Sequence, residues 1–177
     1  MLADPDAQRR LLDLQAVDTA IAQLQHRRRS LPEHAEIAEL QAERARLASE
    51  VVANTTRVSD LEDETRRAEA DLVPVRERKA RNQTRVDNGS VTDPKALQAL
   101  LDEIVHLGRR FGDLEDAELD LMERLEAAQG ALADAVGRKQ ALEERLRAVV
   151  ARRDAALAGL GSELAERQTE RDVVAKV

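Results

Sequence analysis

Asp87-Asn88-Gly89-Ser90-Val91-Thr92-Asp93-Pro94 divides the chain into two stretches that carry the same seven-residue repeat. Asn-Gly is a turn dipeptide, and Asp93 followed by Pro94 reads as a helix N-cap with proline at the first helical position. A link this short makes the flanking helices antiparallel neighbours.

After the turn, one series spaced by seven runs Leu97, Ile104, Phe111, Glu118, Leu125, Leu132, Lys139, Leu146, Arg153, Leu160. Its partner runs Leu100, Leu107, Leu114, Leu121, Ala128, Ala135, Leu142, Val149, Ala156. Only Glu118, Lys139 and Arg153 among these are charged. Before the turn the two series are Ile37, Arg44, Val51, Val58, Thr65, Leu72 and Leu40, Leu47, Asn54, Leu61, Ala68, Val75. These are the a and d positions of a heptad repeat, and a sustained period of 3.5 residues calls for a left-handed supercoil. The predicted fold is all-α: an elongated, kinked antiparallel two-helix coiled-coil hairpin. Residues facing each other across it carry numbers adding to about 180, if both arms rise about 1.5 Å per residue.

The chain divides into an N-terminal helix over 5–31, a first arm over 33–86, a tip loop over 87–93 and a second arm over 94–175. Pro32 separates the segment holding Leu11, Leu14, Val17, Ile21 and Leu24 from the first arm. Pro74 falls inside the heptads, where a missing backbone donor is expected to kink the helix. The pairing rule puts it near Gly108 and Gly112, whose missing side chains are expected to let a bent partner approach. Towards the open end, Val136, Val150, Leu157 and Leu164 occupy e positions that a two-helix seam does not cover. A second protomer, or a domain beyond Val177, is expected on them. A homodimer would use Val150, Leu157 and Leu164.

Composition agrees with long helices. Of 177 residues, 36% are charged and one, Phe111, is aromatic. A Leu-, Ala- and Val-based apolar set mixed with Glu, Arg, Asp and Gln is what coiled coils use. Net charge is −7, which argues against indiscriminate binding to nucleic acid or membranes. No cysteine is present, so neither a disulfide framework nor a thiolate metal site is available. No stretch approaches the roughly 20 apolar residues of a membrane span, and the N-terminus lacks a signal peptide's apolar core. The expected compartment is the cytoplasm.

Catalytic patterns are missing. His26, His34 and His106 lack metal-ligand spacing. There is no glycine-rich phosphate loop, nucleophile elbow or His-Glu-x-x-His helix. The expectation is a non-enzyme.

Charge clustering says more. Arg76, Arg78, Lys79, Arg81 and Arg85 crowd the end of the first arm against the single acid Glu77, and Lys95 adds to them across the turn. Asp60, Glu62, Asp63, Glu64, Glu69 and Asp71 lie behind them, opposite Asp113, Glu115, Asp116, Glu118, Asp120 and Glu123. A basic tip of this kind grips nucleic-acid phosphates or an acidic protein. The same run also fits a solvated helix face with intrahelical ion pairs. No aromatic interleaves it, which disfavours base stacking.

Arg81-Asn82-Gln83-Thr84-Arg85-Val86, then Val91-Thr92-Asp93-Pro94-Lys95-Ala96-Leu97-Gln98-Ala99-Leu100, then Glu103-Ile104 and Leu114–Glu123, resemble the hairpin-tip signature of a bacterial family. Its members join a long coiled-coil hairpin to a C-terminal four-cysteine zinc ribbon. The resemblance implies a regulatory adaptor working with nucleic acid or with transcription and RNA machinery. It also implies zinc in a ribbon expected beyond Val177, where the helical pattern is still running. No residue here is assigned as a zinc ligand. The alternative is a structural spacer or oligomerisation coiled coil that positions a C-terminal domain.

Overall fold

The computed structural model describes residues 5–176, and among them there are three α-helices and no strand. Helix α1 spans Pro5–Arg29, α2 spans Pro32–Asp87 and α3 spans Pro94–Lys176. Proline opens each of them, at a position whose N–H a helix does not use. The α1–α2 break follows from Pro32, whose ring pushes Leu31 out of helical geometry.

The turn closes through local chemistry. Gly89 adopts φ of 61°, a left-handed conformation open to glycine at low cost. The Ser90 N–H donates to the Arg85 carbonyl at 3.2 Å and the Gly89 N–H to the Val86 carbonyl at 3.1 Å. This paired pattern satisfies the last carbonyls of α2. Asn88-Gly89 is thus a helix C-cap in which glycine reverses the chain. On the far side, Asp93 Oδ2 accepts from the Ala96 N–H at 2.9 Å and caps α3.

The chain comprises two compact units. The outer segments, through Leu47 and from Arg138, form one. Its core joins Ile37, Leu40 and Leu47 of α2 to Leu142 and Val149 of α3, with Leu146 and Val150 packed against them. Leu40 is 3% exposed and Val149 1%, so each contributes on the order of 1.5–3 kcal/mol of burial. Val17, Ile21 and Leu24 of α1 are buried at steps of four and three, and Arg171 Nε donates to Asp18 Oδ1 at 2.6 Å. That hydrogen bond, with the Asp18 charge, raises the Arg171 pKa above its ordinary value. Glu36 gathers Arg145 at 3.2 Å and Arg152 at 2.7 Å.

Ala48–Gly137 form the second unit, whose seam buries Leu61, Leu72, Val75, Leu100, Leu107, Ala128 and Ala135. Asn54 Nδ2 donates to the Ala131 carbonyl at 3.4 Å. Every predicted a and d residue is buried or half-buried except Arg44, which is exposed and faces Glu143 at 3.7 Å. The seam also runs further than the predicted series, through half-buried Lys79 and Val86 and buried Asn82.

The pairs Arg78–Glu103, Asn54–Ala131 and Arg44–Glu143 carry numbers close to the expected total of about 180. One expectation needs correction. The glycines near Pro74 do not admit a closer partner. A Cβ at Gly112 would meet nothing within 4 Å, and one at Gly108 only the flexible end of Lys79, its Nζ at 3.6 Å. Helix α2 remains helical through Pro74.

Candidate functional site

The basic tip is the last three turns of α2. Arg78, Arg81 and Arg85 follow one another at three and four residues, the spacing that puts side chains on one helix flank. Arg76 stands outside this series. Lys79, at an a position, is half-buried in the seam instead of projecting with the others.

Two of the arginines are engaged. Arg78 forms an ion pair with Glu103 of α3, and Arg81 Nη1 lies 3.3 Å from Glu77 Oε2. Arg76, Arg85 and Lys95 are exposed and make no ion pair among the described residues. The Arg85 carbonyl, which accepts from both the Ser90 N–H and the Ser90 hydroxyl (2.9 Å), ties the end of this flank to the turn. The structure thus brings Arg78, Arg81 and Arg85 together. It leaves three cations of the tip, Arg76, Arg85 and Lys95, without a carboxylate.

Below the tip, an open groove of about 570 Å³ includes Asp71, Pro74, Arg78, Glu103, His106 and Arg110 in its lining. Its charges are mixed and half-compensated, so it offers no concentrated anion cradle. The acidic stretches behind it are solvated, with Asp63 held by Arg66 at 2.7 Å and Asp120 by Arg124 at 3.7 Å. Glu118 is half-buried, as its a position predicts.

Sequence reasoning missed three things here. Glu103 reaches Arg78 from the second arm, so counting acids along α2 alone overstated the free charge. Asn82 is buried at 7% exposure with its Nδ2 unpartnered; adding seven to Val75 would have found it. Of the e-position stripe, Val136, Val150, Leu157 and Leu164 are all half-buried. Val150 joins the core cluster, and Leu157 lines a groove with Gln25, Arg28, Arg29 and His34.

For the zinc implied by the resemblance, the described residues hold no ligand set. There is no cysteine, and among the described residues no group of three or more His, Cys, Asp or Glu gathers as a metal site. No helix among the described residues is long and apolar enough to cross a membrane.

A capped turn between two heptad-bearing antiparallel helices defines a coiled-coil hairpin protein. The chain belongs to the family of the CT398-like coiled coil hairpin domain, whose model matches residues 14–177. Uncharacterized proteins from two strains of Mycobacterium tuberculosis, CDC 1551 / Oshkosh and ATCC 25618 / H37Rv, are each 32% identical over 174 residues. The match covers 98% of this chain and 71% of each relative. A solved structure from Mycobacterium smegmatis is similar at a TM-score of 0.77 and 28% identity, over 99% of this chain and 72% of its own.

Proposed function

We propose that this protein is a non-enzymatic regulatory adaptor whose basic tip holds the phosphates of a nucleic acid. The observation that carries this reading is the Arg78, Arg81, Arg85 flank, with Arg76, Arg85 and Lys95 left without carboxylates beside a hydrogen-bonded turn. In a chain with net charge −7, a local excess of cations directs a polyanion to one end and repels it elsewhere. The described grooves are open, and among the described residues no histidine ring is hydrogen-bonded to a hydroxyl or carboxylate side chain.

Fluorescence anisotropy with labelled RNA and DNA tests it. The triple variant Arg81→Gln, Arg85→Gln, Lys95→Gln is expected to weaken binding by more than tenfold. It is also expected to flatten the salt dependence by about 0.7 per lost phosphate contact on a single strand. A parent protein that binds neither polymer at low salt, or a variant indistinguishable from it, would leave the spacer reading instead.

A further inference from the structure

We propose that the groove at the break between α1 and α2 is a second binding site, separate from the tip, for a phosphate-bearing small molecule with an apolar or planar body. Only Ser30 and Leu31 lie between the helices, so the basic last turn of α1 and the first turn of α2 are held together. His34 Nε2 lies 3.3 Å from the Arg28 carbonyl and donates to it, clipping one helix end to the other. Gln25, Arg28 and Arg29 from α1, His34 from α2 and Leu157 from α3 line a shallow groove of about 680 Å³ that is open to solvent.

The charges there are not spent on the protein itself. Arg28 and Arg29 make no ion pair among the described residues. Of the acids at the start of α2, Glu36 serves Arg145 and Arg152 and Glu33 Oε2 is buried without a hydrogen bond, whereas Glu39 is exposed. Arginines in a last turn also complement the helix dipole. The dipole accounts for their presence in α1. It does not explain why they line one groove with an imidazole from α2 and a leucine from α3.

The chemistry selects the ligand. Guanidinium forks match phosphate oxygens bidentately. Leu157, an e-position side chain outside the seam, adds an apolar surface to the groove, and the Gln25 amide can both donate and accept at the edge of a base or sugar. A free nucleotide carries both parts, and a 5′-phosphorylated RNA tests whether the end of a nucleic acid is taken instead.

Calorimetry on the full chain with pyrophosphate, ATP and a 5′-phosphorylated RNA ten-mer decides. Pyrophosphate and ATP are expected to bind in the micromolar range, and the variant Arg28→Gln, Arg29→Gln to lose about tenfold or more of both, as loss of charge-assisted bonds implies. Arg28→Lys, Arg29→Lys keeps the charge and is expected to recover only part. Leu157→Gln is expected to weaken ATP and spare pyrophosphate. Substituting Arg81, Arg85 and Lys95 at the tip is expected to change neither, which separates this site from the tip reading. No binding of either small anion at millimolar concentration, binding of RNA alone, or affinities unchanged in the Gln variant would overturn the proposal. Circular dichroism of each variant checks that the helices persist.

Discussion

Asp93 Oδ2 accepts a hydrogen bond from the Ala96 N–H at 2.9 Å, and this contact fixes where the longest helix begins. Pro94 sets the first helical φ and the Asp93 carboxylate satisfies a donor that no carbonyl of α3 can reach. Asp93→Ala is expected to cost about 1 kcal/mol, with Asp93→Asn close to the parent. Urea unfolding measures both. Equal losses in the two variants would show that the charge at the helix end, and not the cap bond, carries the effect.

Glycine has two meanings in this chain, and substitution separates them. Gly89 holds φ of 61°, so Gly89→Ala is expected to destabilise by about 1 kcal/mol through left-handed strain. Gly108 and Gly112 are helical and have room for a methyl group. Alanine there is expected to stabilise by about 0.5–1 kcal/mol each, or roughly 2–4 °C of melting temperature per kcal/mol. A lower melting temperature for Gly112→Ala would mean that the space beside it is filled in solution.

Much of the fold was legible because heptad spacing is a one-dimensional signal. Leu40, Leu61, Leu100 and Leu142 fall at the predicted positions and are buried there. What was not legible arises between helices. Glu103 neutralises Arg78 from far along the sequence, and the Gln25, Arg28, Arg29, His34 and Leu157 groove draws on three elements. The Gly108 and Gly112 expectation failed because the partner backbone does not close on either position: a Cβ at Gly108 would meet only the end of Lys79, and one at Gly112 would meet nothing within 4 Å.

Small and large seam residues are expected to respond oppositely. Ala135 has no exposed surface, so Ala135→Leu would force the facing helix outward, at about 1–3 kcal/mol. Leu40→Ala would leave a void in the Ile37, Leu47, Leu142 and Val149 cluster, at about 2–5 kcal/mol. Denaturant midpoints with unchanged slope are expected for both. A neutral Ala135→Leu would show that the helices are less closely packed at this point than the burial implies.

Asn82 gives the sharpest test of the seam at the tip. It sits at a d position with its Nδ2 buried and unpartnered, and an unsatisfied buried donor costs about 1–3 kcal/mol. Asn82→Leu removes that donor and adds apolar burial, so the protein is expected to gain about 1–2 kcal/mol. A buried asparagine in a coiled coil also restricts register and partner number. The same substitution is therefore expected to broaden the mass distribution in sedimentation, with dimer or higher species appearing at high concentration. Stabilisation with a single sedimenting species would confine Asn82 to a local cost. A loss of stability would mean that its amide finds a partner in solution and that the polar residue holds the tip together.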